Sequence, residues 1–502
     1  MEPILSVKQA QDIDAYFIAC EKNTLALMEK AGEALFLKIQ AQFPNLNTSF
    51  LILAGNGGNG GDAFVLARHL FEHHYQNVIV YQPISTHQSN ENQINQQRFL
   101  GKIIHSLDQI QSSYDVMVDG LFGIGLNRLL TQEWIQRISF LNQIKAYKIA
   151  IDIPSGIHGD HGNAMGAYLF CDICYAIQFK KTGHFLNDGI DSYQQIETVD
   201  IGEKNLFEDV IYLKNEQDYG DFFKKRLHNT NKGSYGKCAF ISGSKTLPGA
   251  ALLSSLAYAA LKIGTGYATL CIPSSLYEIY ALHHPELTYV LLADENGNLS
   301  YDEEKLKSIL HYEVITIGMG LGVSKEIYQT IQYLLTHYEH TLIIDADGLN
   351  TLSQFGVEIL KEKKCKVILT PHLKEFSRLS AQPMERVKTE SILLAKQFVK
   401  DYDVLLILKS AVSLIAFQNE MYINTAGTPA LAKAGSGDVL SGILSGIVSM
   451  YGYHANSALM ATYLLGKAGE KAAQQLSEYS VTATDVIACI PMIIQELQKD
   501  AH

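Results

Sequence analysis

From residue 424 to residue 442 the chain reads Asn-Thr-Ala-Gly-Thr-Pro-Ala-Leu-Ala-Lys-Ala-Gly-Ser-Gly-Asp-Val-Leu-Ser-Gly, a glycine-rich loop that ends in an acid and runs into an apolar helix. Gly435 and Gly437 let the backbone turn its N–H groups toward one point, and the positive end of the following helix adds to them, which suits an anion such as phosphate. A carboxylate at Asp438 is out of place there unless it takes a proton from a hydroxyl that attacks or leaves as phosphate. In an isolated Gly-x-Gly-Asp the plainer reading is a helix start with Asp438 as a first-turn acid. The rest of the chain shifts the balance toward phosphoryl chemistry.

A second constellation lies near the N-terminus. Residues 54 to 62, Ala-Gly-Asn-Gly-Gly-Asn-Gly-Gly-Asp, follow the apolar run Phe50 to Leu53 and precede the helix-like Ala63 to Leu70. Gly55, Gly57 and Gly60 fit the G-x-G-x-x-G spacing of a dinucleotide-binding turn, but no Asp or Glu lies between Glu72 and Glu91 to grip a ribose, so an ordinary hydride-transferring domain loses ground. Two more loops, Asp119-Gly-Leu-Phe-Gly-Ile-Gly-Leu and Ile151-Asp-Ile-Pro-Ser-Gly-Ile-His-Gly-Asp, also end apolar runs. In a parallel sheet, Asn59, Asp119, Asp152 and Ser155 converge on one edge, offering oxygens to a monovalent cation and a carboxylate for proton transfer. Asp119 and Asp152 taken singly are equally well turn residues.

The elements that must position these loops are those of α/β domains. In the first 200 residues or so, short β-rich runs alternate with helical stretches: Phe50 to Leu53, Val78 to Tyr81, Val116 to Val118, Lys148 to Ile153 and Cys174 to Phe179. A polar stretch from Lys214 to Lys232 reads as a linker or an introductory helix. The pattern restarts with Lys237 to Ser242, Val314 to Gly318, Thr341 to Asp345, Lys366 to Thr370, Val404 to Lys409 and Ser413 to Phe417. The expected domains are 1–215 and 222–502, and the Gln/Asn-rich patch Gln88 to Gln97 reads as solvated helix surface.

Composition agrees with a compact enzyme. The chain has 502 residues, 47% hydrophobic and 18% charged, and a net charge of −12 that repels nucleic acid and anionic membrane surfaces. Val439 to Gly466 carries no Asp, Glu, Lys or Arg, yet its serines and glycines fit two buried helices joined near Tyr451 to His454 better than a membrane span. No secretory signal is visible at the N-terminus, which makes the cytoplasm the expected location. Seven scattered cysteines form no disulfide framework, and Cys171-x-x-Cys174 reads as buried strand. Neither His73-His74, His283-His284 nor His158 with His161 has further ligands at metal spacing, so no structural zinc is expected.

Together these loops resemble the bifunctional NAD(P)H-hydrate repair enzymes, in which an epimerase precedes an ADP/ATP-dependent dehydratase. The first half carries the resemblance on Gly58-Asn-Gly-Gly-Asp, the loop at Asp119, Ala150-Ile-Asp-Ile-Pro-Ser-Gly and Lys181-Thr-Gly-His. The second carries it on Asn231-Lys-Gly-Ser-Tyr-Gly-Lys, Gly243-Ser, Gly249-Ala, Ile317-Gly-Met-Gly-Leu-Gly, Asp345-Ala-Asp-Gly-Leu-Asn, Thr370-Pro-His-Leu-Lys-Glu, Lys409-Ser-Ala and Gly435-Ser-Gly-Asp. The implied fold is a Rossmann-like three-layer domain followed by a ribokinase-like α/β domain. The implied activity is interconversion of R and S hydrates by the first and nucleotide-driven dehydration of the S hydrate by the second.

By the same resemblance Asn59, Asp119 and Ser155 hold potassium. Gly58, Asn59, Gly60, Gly61, Asp62, Gly123, Ile124, Gly125, Leu126, Asn127, Arg128, Leu129 and Asp152 contact the hydrated dinucleotide. Lys409, Ser410, Ala411, Val412, Ser413 and Gly437 hold ADP or ATP with magnesium, while Ala250, Gly320, His372 and Asp438 face the hydrate. Asp152 and Asp438 are the expected catalytic residues, and a homo-oligomer is expected. The chain departs from the family pattern at Ser436, which keeps the hydroxyl, at Lys433 and Ala434, where added bulk and charge are expected near the phosphates, and in Lys409-Ser-Ala-Val-Ser. The alternative is a ribokinase-like small-molecule kinase carrying an N-terminal dinucleotide-binding module.

Overall fold

The computed structural model describes all residues except 22, 85–86, 221, 248, 251–259, 283–284 and 500–502, so the histidine pair at 283 and 284 lies outside the described residues. The chain divides into two compact units, Pro3–Val210 and the remainder from Ile211 onward with Met1–Glu2.

In the first unit the parallel strands are β1 (Ser49–Ala54), β2 (Asn77–Tyr81), β3 (Lys102–Ile104), β4 (Ser113–Gly120), β5 (Lys145–Ile151), β6 (Cys171–Ile177) and β7 (Tyr193–Val199), the β-rich runs accounting for all but β3 and β7. They form a 7-stranded sheet in the order β3-β2-β1-β4-β5-β6-β7. The order reverses direction between β1 and β4, which is where ligands gather in doubly wound sheets. Register fixes the consequence: Leu53 lies opposite Asp119, and Asp119 opposite Ala150, so the three loops leave the same edge. The helices are α1 (Val7–Glu21), α2 (Thr24–Gln42), α3 (Gly58–Glu72), α4 (Asn90–Arg98) and α5 (Gln132–Gln143). Apolar residues fill both faces of the sheet, with Phe50, Ile52, Val116 and Val118 on one side and Leu51, Leu53, Met117 and Ala150 on the other. Cys171 and Cys174 are buried in β6, as their apolar context predicts. His158 and His161 stack at 3.7 Å, and the Nδ1 of His158 accepts from backbone amides.

The second unit contains β8 (Ile211–Leu213), β9 (Lys237–Ile241), β10 (Tyr267–Pro273), β11 (Thr288–Leu292), β12 (Val314–Ile317), β13 (Thr341–Ile344), β14 (Lys366–Leu369), β15 (Leu405–Lys409), β16 (Ser413–Phe417) and β17 (Glu420–Asn424). Their order is β11-β10-β9-β12-β13-β14-β15-β16-β17-β8, parallel from β11 to β15, with antiparallel pairing of β16 to both neighbours. The helices that bear on the site are α6 (Asp347–Phe355), α7 (Leu373–Leu379), α8 (Ser436–Tyr451) and α9 (Ala455–Leu476).

The uncharged stretch after Asp438 forms two buried helices, α8 and α9, which break at Gly452 with φ +89°, a backbone that favours glycine. Its serines have buried partners: Ser441 Oγ donates to Asp345 Oδ2 at 2.8 Å, and Ser445 Oγ lies 2.6 Å from Thr316 Oγ1. Among the described residues no helix is long and apolar enough to cross a membrane.

The polar stretch after Lys214 departs from expectation. It forms short 3-10 turns at Glu216–Tyr219 and Lys232–Tyr235, and Tyr219 and Phe223 join the core of the second unit. Tyr219 stacks on Tyr463 with ring centroids 4.0 Å apart. Two aromatics in a charged neighbourhood thus outweigh the composition around them.

Candidate active sites

In the first unit a cavity of about 1100 Å³ opens where β1, β4 and β5 end. The turn entering α3 is shaped by contacts that only glycine permits. A Cβ on Gly55 would come within 1.8 Å of the Leu121 carbonyl oxygen, and one on Gly60 within 1.9 Å of the Gly55 carbonyl oxygen. Gly57 and Gly58 instead face open space at the start of the helix, leaving its N–H groups accessible to an anionic ligand. Of the expected substrate contacts, Gly58, Asn59, Asp62, Gly123, Ile124, Gly125, Leu126, Asn127, Arg128 and Asp152 line the cavity. Gly60 and Gly61 are buried behind it, Gly61 against Met28, and Leu129 is 74% exposed, outside the lining.

Asp152 is a non-glycine residue at φ +65°, a strained backbone of the kind concentrated at functional sites. Its carboxylate is buried, paired with the buried Lys181 ammonium, and accepts from Ile177 N at 3.1 Å. His184 Nε2, 2.7 Å from the Asp152 carbonyl oxygen, holds the turn from behind, and burial pushes the imidazole down to about 4. Burial, with the charges of Asp152 and Asp14, also holds the Asp62 carboxyl well above its usual range.

Asn59, Asp119 and Ser155 come together. Ser155 donates through N (2.7 Å) and Oγ (2.6 Å) to the Asp119 carboxylate, and Asn59 Nδ2 donates to the Phe122 carbonyl oxygen at 3.0 Å. Asp119 is 1% exposed and burial raises its pKa to about 6, offset by hydrogen bonds alone. Among the described residues no ion pair is formed by this carboxylate. An all-oxygen set around a buried negative charge without a counter-charge fits a hard monovalent cation.

In the second unit the corresponding edge is set by the register Ile241, Ile317, Ile344, Leu369, Leu406 across β9, β12, β13, β14 and β15. Asp345, just beyond β13, is buried and receives Lys409 Nζ at 2.9 Å, Ser441 Oγ and its neighbour's amide. Burial alone would raise this carboxyl, but Lys409 and the hydroxyls hold it below the usual range. Gly437 sits against the pair: a Cβ there would lie 3.5 Å from Lys409 Nζ. Asp438, one residue on in the first turn of α8, is pushed up to about 7, chiefly by burial and then by Asp345. Gly435, at φ +95°, turns the chain into this helix.

The other expected residues are distributed as follows. Lys409 N donates to Pro371 O at 2.8 Å, which brings His372 beside β15, and His372 Nδ1 caps α7 by accepting from Lys374 N and Glu375 N. Gly320, at φ +65°, lies against Ala250, where a Cβ would come within 2.4 Å of the alanine methyl. Ser410 to Val412 turn the chain from β15 into β16, where Ser413 pairs with Lys409. Ala411 is exposed, whereas Val412 is 2% exposed and packs inward, leaving only its backbone for a nucleotide.

Two expectations need correction. The Gln/Asn-rich patch is solvated on one side only: Asn90, Gln93 and Gln97 are exposed, but Asn92 and Asn95 of α4 are buried, and Asn92 Nδ2 donates to the carbonyls of Gly55 (2.9 Å) and Gly57 (2.8 Å). Asn92 therefore clamps the turn that opens the cavity, and the only trace of this in the sequence is an amide-rich helix following a glycine-rich loop. Asn92→Ala should cost about 1–3 kcal/mol by stranding those carbonyls. Urea unfolding followed by the fluorescence of Trp134, the single tryptophan and a cavity residue, measures it. Lys433, for its part, does not add charge at the phosphate loop, because its ammonium donates to Tyr479 O (2.6 Å) and Val481 O (2.8 Å).

Residues 238–492 match the family model described as NAD(P)H-hydrate dehydratase, and residues 24–183 match that of the YjeF-related protein N-terminus. The bifunctional NAD(P)H-hydrate repair enzyme of Dictyoglomus turgidum is 30% identical over 491 residues, covering 94% of each chain. The protein of the same name from Thermosynechococcus vestitus is 31% identical over 481 residues, 92% of each. A ribokinase-like superfamily protein from Enterococcus faecalis, 24% identical, aligns with a TM-score of 0.50 over 59% of this chain and 99% of that one, showing the shared fold. With both halves matched in order and relatives aligned nearly end to end, the chain belongs to the family of bifunctional NAD(P)H-hydrate repair enzymes.

Proposed function

We propose that this chain restores hydrated NADH and NADPH, epimerising the hydrate in the first unit and dehydrating its S form in the second at the expense of ADP or ATP. The substrate carries a hydroxyl on the carbon next to the ring nitrogen. In the second unit Asp438 takes the hydroxyl proton as the oxygen attacks the terminal phosphorus, and the bond from that phosphorus to the departing nucleotide breaks. The Gly435 to Gly437 turn, the start of α8 and Lys409 stabilise the charge on the phosphoryl group in flight. The ring nitrogen then expels phosphate, and loss of a proton from the neighbouring carbon regenerates the double bond. Magnesium enters with the nucleotide as part of that substrate.

In the first unit Asp152, with Lys181 as its counter-charge, is the proton carrier for inversion at the hydroxyl-bearing carbon. Potassium, held by Asn59, Asp119 and Ser155, would neutralise the buried Asp119 charge and set the shape of the adjoining loop. The family match supports both activities, and the position of Asp438 supports the assignment of its role: it stands at the phosphate-binding turn beside the Asp345–Lys409 pair, with a pKa raised to about 7.

The pH dependence of kcat/KM for S-hydrate dehydration tests this reading. A base must be deprotonated to act, so the rate should fall about tenfold per pH unit below about 7 and level off above it. A rate independent of pH through this range would remove Asp438 from the role of base.

A further inference from the structure

The epimerase reading leaves a second proton partner unassigned, since inversion through loss and return of the hydroxyl needs one proton given and one taken. Two carboxyls in the same cavity are arranged for the first task. Glu203 is 6% exposed and lines the cavity with Asp14, Asp152 and Lys181. Carboxyls gathered in one pocket and withdrawn from water favour a proton on one of them. The Oε1 of Glu203 is buried without a hydrogen-bond partner. The backbone around Glu203 is held as a fixed turn: Gln178 Nε2 donates to Glu203 O at 2.8 Å, and Gln178 Oε1 accepts from Ile201 N at 2.7 Å. Asp14 approaches from α1, so the pair is built from two distant parts of the first unit.

Resting on the epimerase reading, we propose that Asp14 and Glu203 are the proton-donating half of the epimerisation site, opposite the Lys181-bound carboxylate of Asp152. The pair protonates the hydroxyl as its C–O bond breaks, water departs and the ring nitrogen's electron pair holds the cationic ring. Water adding to the opposite face then gives a proton to Asp152. Proton exchange through cavity water resets both groups, with no net change beyond inversion at one carbon.

The surroundings suit the two roles. Burial and the neighbouring Asp14 push Glu203 up to about 7, against the lowering influence of Lys181 and Lys30, while Asp14 is raised by burial and Asp152. Asp62, facing Asp152, Asp14 and Lys181, is also held toward its neutral form. One carboxylate with a lysine partner and a carboxyl pair that retains a proton near neutrality are environments that set base and acid apart.

The test is the pH profile of epimerisation in the full chain, comparing wild type with Glu203→Gln and Asp14→Asn. Trp134 fluorescence checks that the first unit is folded. Wild type should lose rate as pH rises above about 7, as the Glu203 proton is lost. Each folded variant should turn over at least roughly tenfold more slowly, with that alkaline decline abolished. A variant that keeps the wild-type rate overturns the proposal, and so does a slower variant whose alkaline decline is unchanged, because a merely structural role leaves the titration in place. A wild-type chain that leaves the epimer ratio untouched would instead sink the epimerase reading itself.

Discussion

Asp438→Asn is expected to cut nucleotide-dependent dehydration by roughly 10²-fold or more while nucleotide still binds, unchanged or tighter. The substitution keeps the size and capping capacity of the side chain at the start of α8 and removes only its ability to take a proton. Stability should move the other way. The carboxyl is raised to about 7 in the folded chain, so its ionised form opposes folding: the penalty is absent below the ordinary carboxylate range near 4 and fully present above about 7. Asn carries no such penalty, and thermal unfolding of the variant above neutral pH should occur at equal or higher temperature than wild type. A residue serving only as a cap would keep its turnover, since the stability gain follows from burial alone. Rate, nucleotide affinity and melting measured on one preparation separate the two cases.

Asp152→Asn should lower epimerisation roughly 10²-fold or more and leave dehydration of the S hydrate untouched. The expected time course on a mixture of epimers is a fast phase that exhausts the S form, followed by a crawl at the uncatalysed epimerisation rate. The buried Lys181 loses its counter-charge in this variant, so some destabilisation of the first unit accompanies the loss, and Trp134 fluorescence identifies the folded fraction. Full conversion at the wild-type rate would remove Asp152 from the chemistry.

What the sequence made legible was the chemistry at strand ends. Asp119 and Asp438 stand directly beside glycines, and Asp152 and Asp345 lie within four residues of one, because close backbone approach and tight turns demand glycine there, and such local demands are written in nearby residues. Most central strands were legible for a related reason, being buried on both faces and therefore continuously apolar, although the equally buried β10 was not read. Edge elements were not. β7, Tyr-Gln-Gln-Ile-Glu-Thr-Val, is half polar at the sheet margin, and β11 keeps most of its residues partly exposed. Asn92, Glu203 and Lys433 were illegible for a different reason. Polar side chains that are buried or bonded across the fold carry the same letters as solvated ones, and only distant partners, the Gly55 and Gly57 carbonyls, Asp14, and the carbonyls of Tyr479 and Val481, give them their roles.

The central claim is that two separate sites on one chain act in series on a shared, diffusible hydrate. It is tested most directly by mixing the Asp152→Asn and Asp438→Asn proteins. Each is given an equal mixture of hydrated NADH epimers with magnesium, ATP or ADP, and potassium, and recovery of reduced-nicotinamide absorbance is followed to completion. The account predicts that Asp438→Asn alone restores almost nothing on this time scale, that Asp152→Asn alone stops after the S epimer, and that the mixture restores the whole. A mixture that stops where Asp152→Asn stops would contradict it.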